Sequence, residues 1–416
     1  MQTLPLFVNP FFLAKLLKKA KHKIYRSLCP LQNLASLRES LQIKNMHKDK
    51  STRIVANWIF LGVGMLIIQV LLGGITRLTG SGLSITEWKP IMGAMPPMGE
   101  AEWQQAFNKY QQIAQFKYIN QHFTLGDFKF IFFWEWFHRL WARLIGVVFL
   151  IPFIYFLKKK YFKSWMVFPL VVLFLLGALQ GVIGWIMVQS GLNDNDVYVN
   201  HIRLAVHFMA AMVLICYALL FGLKLVIEPR SRIAQPALLR GAVVITILVC
   251  TQLIFGAFMA GLKAAATAPT WPDINGMVIP EGIFSNGGFF YNITHNKITI
   301  HFIHRTLAYV IALFIVIWWF AARRITGSPA FNTAKNLTFF LVITQVFLGI
   351  FTVLNGNKIV AGKFGAFEWL AEMHQLTGML LLLSLAGVIY ITGENRRKFT
   401  AVQEDKIINS PAADII

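Results

Sequence analysis

The sequence predicts an all-α polytopic membrane protein whose eight transmembrane helices form two four-helix bundles related by a pseudo-two-fold axis. Three observations predict it. Hydrophobic residues make up 56% of the 416 residues and charged residues only 14%, with a mean hydropathy of +0.58. A soluble globule carries roughly 25% charged residues, so this chain cannot coat itself in polar side chains. The apolar residues fall in runs close to the ~20 residues that cross a bilayer. The third observation is that the second half of the chain echoes the first. Composition thus excludes a soluble enzyme, a nucleic-acid binder and a secreted disulfide scaffold.

The apolar runs lie at 56–76, 131–157, 164–189, 203–223, 241–262, 298–322, 336–355 and 369–392. They divide the chain into a basic tail (1–54), a first bundle (55–224), a linker (225–240), a second bundle (241–393) and a tail (394–416). The two tails and the turns at 158–163, 224–240 and 323–335 hold 26 of the 39 Lys and Arg but seven of the 18 acids. Lys/Arg bias sets orientation, so both termini are expected in the cytoplasm or an equivalent compartment. The formal charge of +21 is therefore a topology signal and not a nucleic-acid footprint. Residues 1–50 include NPFFLAKLLKKAKHKIYRSL, which suits a membrane-surface or targeting segment; a start at Met46 is the competing reading. Of the three cysteines, Cys29 lies in the tail and Cys216 and Cys250 lie in spans, so no outward disulfide is expected.

The halves match span by span. Span one carries QVLLG from Gln69 to Gly73, and span five carries QLIFG from Gln252 to Gly256. Span three carries Gln180 and Gly181, answered in span seven by QVFLG from Gln345 to Gly349. His138 and His304, in spans two and six, are 166 residues apart; His207 and His374, in spans four and eight, are 167 apart. Four spans return the chain to its starting side, so the repeats are parallel. Gly73, Gly74, Gly181, Gly184, Gly256 and Gly349 read most simply as packing positions.

Those four histidines lie near the outward ends of their spans, one pair per half. Two imidazoles facing each other across a helix bundle are the axial ligands of a six-coordinate haem. Arg139 and Arg305 directly follow the leading histidines, and Arg77 and Arg203 lie near the same interface. Arginine grips carboxylates such as haem propionates bidentately, or else merely snorkels. Zinc or copper is the rival ligand, but it wants three or four protein ligands, and the HxxH of His301 and His304 has no counterpart in the first half.

The halves differ three residues before each leading histidine, where Glu135 stands in the first and His301 in the second. An acid inside a span is a functional candidate by default. Beside a haem edge Glu135 could bind or relay a proton or stabilise a developing cation, or it could serve only to orient Arg139 or Arg143. The outer loops at 77–129 and around ATAPTWPDINGMVIPEGIF are candidate lids over the two bundles.

Together GGITRLTGSGLSITEWKPIMGAMPP, EWFHRLWARLIG, RLAVHF, TWPDINGMVIPEGIF, IHFIHRTLAYV and MHQLTG resemble haem A synthase, in the form found in many Gram-negative bacteria and in mitochondria. The resemblance implies an oxidoreductase that converts the C8 methyl group of haem O to the formyl group of haem A for terminal oxidases. It implies a haem b cofactor (iron) held by His304 and His374, a substrate haem flanked by His138 and His207, and a catalytic Glu135. Arg77 and Arg139 are the further substrate-side candidates, and Arg305 is the cofactor-side propionate candidate. The implied partners are haem O and membrane lipid, with haem O synthase, terminal-oxidase assembly factors and a second copy of the chain as candidates, and no nucleic acid. The bacterial cytoplasmic (inner) membrane is the expected location, with the mitochondrial inner membrane as the alternative. The outer-loop cysteine pair of Gram-positive relatives is missing. Two readings compete on the same histidines: a di-haem b electron carrier, and a haem transporter or chaperone.

Overall fold

The computed structural model describes residues 31–88, 92–285, 287–325, 328–358 and 364–393. Ten α-helices follow in order: α1 (Leu31–Leu78), α2 (Glu100–Tyr110), α3 (Leu125–Lys158), α4 (Ser164–Gln189), α5 (His201–Val226), α6 (Pro236–Gly261), α7 (Phe289–His295), α8 (Lys297–Ala322), α9 (Pro329–Leu354) and α10 (Ala366–Thr392). Among the described residues there is no β-strand. Eight helices, all but α2 and α7, are long and apolar enough to cross a membrane. Each predicted run coincides with one of them, and the chain is a multi-pass membrane protein.

The chain forms two compact units, residues 1–54 and 55–416. Everything that follows lies in the second. The stretch proposed for targeting, Cys29 and the tail from 394 onward lie outside the described residues.

Local chemistry starts each helix. A span that enters the bilayer must leave no backbone group unsatisfied, so its ends need partners outside the apolar core. Asn200 caps α5 by accepting from the N–H groups of Ile202 and Arg203, and Asn296 does the same for α8 with Ile298 and Thr299. Pro236 and Pro329 occupy the first turns of α6 and α9, where no backbone N–H is needed. One boundary moves. The second span was expected from 131, but α3 begins at Leu125, because Thr124 and Asp127 form a reciprocal capping box that converts TLGDFK into helix.

Packing centres on the last helix. α10 lies against α9, α6 and α5. It also meets α1, where Gln375 Nε2 donates to the carbonyl of Val70 at 3.4 Å. At its apolar centre 67% of α10 is buried, against 6% for α3. α10 is therefore the post on which α1, α5, α6 and α9 pack, and α3 is peripheral. α1 is tied to α3 by two indole donors, Trp58 Nε1 to Val148 O and Trp141 Nε1 to Met65 O, both 2.9 Å. Inside a bilayer apolar contacts alone do not favour helix pairing, so such bonds and close packing carry the association.

Candidate functional site

One unit of construction recurs four times. A span carries glutamine and, four residues on, glycine; the next span carries the histidine that fits between them. A Cβ added at Gly73 would lie 3.0 Å from His138 Cε1, and one at Gly184 would lie 3.0 Å from His207 Cε1. In the second half the same distances are 3.3 Å from Gly256 to His304 and 3.0 Å from Gly349 to His374. These four glycines are therefore seats for imidazole edges. Gly181, read from the sequence as the partner of Gln180, has nothing within 4 Å, and the seat is Gly184.

The glutamine closes each clasp. Gln69 Nε2 lies 3.1 Å from His138 Nε2, and Gln252 and Gln345 lie 3.3 Å from the Nε2 atoms of His304 and His374. Gln252 also donates to the His304 carbonyl at 2.9 Å, Gln69 to that of His138 at 3.3 Å and Gln180 to that of His207 at 3.5 Å. An amide N–H facing Nε2 favours the tautomer with its lone pair there, the state that a metal ligand requires.

The rings of His304 and His374 face each other with centroids 6.3 Å apart and planes at 71°. Two metal–imidazole bonds of about 2.0 Å, with roughly 1.2 Å from each nitrogen to its ring centre, span about 6.4 Å. The spacing therefore suits two imidazoles sharing one metal ion, as a bis-histidine haem would require. Among the described residues no group of three or more His, Cys, Asp or Glu is placed to hold a metal ion, which disfavours the zinc or copper reading.

Around Glu135 the first half adds a charged cluster. Its carboxylate is 3% exposed and pairs with Arg139 Nη2 at 2.5 Å. The other oxygen accepts from Ser84 Oγ at 2.7 Å and from the Ile85 N–H at 2.8 Å. Arg139 continues to the carbonyls of Glu87 and Ile85, both at 3.1 Å. Glu135 therefore orients Arg139, as one sequence reading had it, and the pair together pins the first outer loop over the bundle. Trp136 Nε1 adds a 3.0 Å bond to Ala94 O, and Trp88 stacks on Trp185 at 5.6 Å.

The second half keeps the arginine and loses the acid. Arg305 donates to the carbonyls of Asp273 (2.7 Å), Thr270 (2.6 Å) and Ala268 (3.0 Å), pinning the TWPDINGM loop. Within that loop the Asp273 carboxylate accepts from the Gly276 N–H at 2.9 Å, and this bond and the Thr270 hydroxyl hold its pKa below the usual carboxylate range. His301, in the place of Glu135, is fully buried, and neither ring nitrogen has a hydrogen-bond partner. His201 instead bonds the carbonyl of Thr294 at 2.7 Å, an interfacial position.

One residue escaped the sequence reading. Glu372, two positions before His374, is fully buried, and neither carboxylate oxygen has a hydrogen-bond partner. It presses on Gly74 of α1, where a Cβ would collide with the carboxylate itself. Arg77, one turn beyond Gly74, is its electrostatic counterpart. The signal was present in AEMHQ. There the acid stands two residues before the histidine, not the three that separate Glu135 from His138.

Comparison with known proteins identifies the family. Residues 56–386 match the COX15-CtaA family, described as cytochrome oxidase assembly protein. A heme A synthase from Parvibaculum lavamentivorans is 40% identical over 345 residues, covering 80% of this chain and 98% of that protein. The heme A synthase of Flavobacterium psychrophilum is 38% identical over 338 residues, covering 80% and 96%. That of Nitrosospira multiformis is 37% identical over 364 residues, covering 86% and 98%.

Proposed function

This chain belongs to the cytochrome oxidase assembly protein family, and from that premise we propose that it is a haem A synthase, oxidising the C8 methyl group of haem O to a formyl group. The observation that carries the reading is the asymmetry between two similar histidine pairs. Glu135, bonded to Ser84, Ile85 and Arg139, stands three residues before His138, whereas the buried imidazole of His301 takes that place in the second half and the acid near His374, Glu372, has no hydrogen-bond partner. The first half is equipped for chemistry and the second for holding a redox group.

His304 and His374 would hold a haem b, which when bound supplies a route for the electrons removed from the substrate. His138 and His207 flank the substrate porphyrin. Arg139 on that side and Arg305 on the other, though bonded to Glu135 and to loop carbonyls, place positive charge near the propionates, and Arg77 adds a third charge beside Glu372. The methyl group is oxidised by four electrons in two steps, each adding one water-derived hydroxyl and releasing two protons and two electrons to an external electron acceptor, and the hydrated aldehyde so formed loses water to leave the formyl group. A carboxylate already committed to Arg139, Ser84 and Ile85 is preorganised, so Glu135 acts by stabilising positive charge that develops on the substrate. The loops pinned by Arg139 and Arg305 exclude water from the two outward ends.

The Lys/Arg bias supports an orientation with both tails in the cytoplasm and the histidine ends facing outward, in a bacterial inner membrane. Expression of the chain with a source of haem O, followed by chromatography of extracted haems, tests the function. Accumulation of haem A is expected. Haem O alone, with a stable low-spin haem b in the purified protein, would favour the electron carrier instead.

A further inference from the structure

At the histidine-bearing end of the spans, outside both clasped pairs, lies a polar bowl of about 710 Å³. Its walls come from the end of α4, the loop 193–200, the start of α5, the end of α6 and Lys297 at the head of α8. Three basic side chains reach it: Arg203, Lys263 and Lys297. The one acid in the wall, Asp196, is engaged by Asn193 Nδ2 at 3.0 Å. Among the described residues no carboxylate lies within ion-pair distance of the three cations. Lys263 is held by its backbone, at φ 54°, with its ammonium 3.8 Å from the centre of the Tyr198 ring. A net positive bowl of this kind calls for an anion.

A second cavity shows which anion. It is lined by Ile183, Ile186, Ile202, Val206 and, on its one polar side, Arg203. Ile186 (46% exposed), Ile202 (37%) and Val206 (54%) stand exposed on helices long and apolar enough to cross a membrane, on a face that acyl chains would cover in a bilayer. Arg203 is thus the shared wall between a cationic bowl and an apolar groove open to the bilayer. One guanidinium nitrogen bonds the carbonyl of Ile186 at 3.0 Å, which fixes the side chain at that seam.

We propose that the bowl and groove together bind an anionic phospholipid, with its phosphate among Arg203, Lys263 and Lys297 and an acyl chain along Ile202 and Val206. A free phosphate would satisfy the bowl alone and leave the groove without a role. A zwitterionic lipid would leave the basic excess uncompensated. Basic pockets between spans are a recurrent mode of headgroup recognition.

The test uses the full-length protein in nanodiscs of phosphatidylcholine with or without phosphatidylglycerol, followed by mass spectrometry of the lipid that remains bound. Wild-type protein is expected to retain phosphatidylglycerol selectively. Lys263→Gln with Lys297→Gln should weaken that retention by about thirtyfold, at the usual worth of a basic residue near an anionic lipid. Lys158→Gln with Lys159→Gln, an equal charge change at the other end of the spans, should not. Ile202→Trp, which fills the groove, should reduce retention while sparing binding of glycerol phosphate. Equal retention of both lipids, or displacement of the lipid by inorganic phosphate alone, would overturn the assignment. Unchanged lipid retention together with weaker haem O binding in the lysine variant would overturn it too, by giving the bowl to the substrate. Lipid retention is read without turnover, so it stands or falls separately from the synthase reading.

Discussion

Adding one methyl group at Gly349 should cost the protein its second-half haem, whereas the same change at Gly256 should not. The two glycines seat the two rings of one pair. At Gly349 a Cβ would lie 3.0 Å from His374 Cε1 and 3.5 Å from Nδ1; at Gly256 the nearest atom, His304 Cε1, would be at 3.3 Å. Ordinary contact begins near 3.4 Å, so His374 must retreat by about 0.4 Å and His304 by about 0.1 Å. Metal–ligand distances tolerate roughly 0.2 Å, which separates the two substitutions. Disturbing the support of a metal ligand typically costs about 10–100-fold in affinity. The assay is haem per polypeptide, from the absorption of protein purified after haem-limited expression, with Gly62→Ala, which meets nothing within 4 Å, as the control for helix tolerance. Full haem content in Gly349→Ala, or equal loss in both variants, would refute the reasoning that these glycines position iron ligands.

Glu135→Ala should leave the second-half haem spectrum intact and abolish haem A accumulation in extracted pigments; normal haem A in that variant would remove the carboxylate from the mechanism. Gly74→Ala should lower the thermal midpoint by driving its Cβ into the Glu372 carboxylate, and Glu372→Ala in the same chain should restore part of the loss, giving a non-additive double-mutant cycle. The depressed pKa of Asp273 means that its contribution to loop order is present above the unfolded carboxylate value, near 3.9, and is lost as pH falls through the lower folded value. Limited proteolysis by an acid-active protease should therefore cut the 268–277 loop increasingly below about pH 4, and Asp273→Ala should be cut there at neutral pH by a broad-specificity neutral protease that spares the wild type.

The spans and the four histidines were legible because both rest on periodicity and composition, which are one-dimensional properties. Hydropathy underestimated α3 because Asp127 and Lys129 look like loop, whereas the Thr124–Asp127 capping box makes them helix. The Gln–Gly repeat was legible in three of its four copies, with Gly181 standing in for Gly184 in the other, but its glycines read as packing positions, and their role as seats for the histidines shows only in the fold. The targets of Arg139 and Arg305 were not legible at all. Each points at carbonyl groups of an outer loop, and a carbonyl has no signature in the sequence. Glu372 was hidden for a related reason. Its significance comes from Gly74, almost 300 residues earlier, and from the charge on Arg77.

The position of α10 has a consequence for biosynthesis. It leaves the ribosome after the other seven described spans, yet α1, α5, α6 and α9 all rest on it, and it brings both His374 and the acid that meets α1. Until α10 emerges, those four spans lack their shared neighbour and the second histidine pair has one member. Pigment acquisition by that pair is thereby deferred until α10 inserts, and a nascent chain stalled before residue 366 should emerge colourless in its C-terminal half.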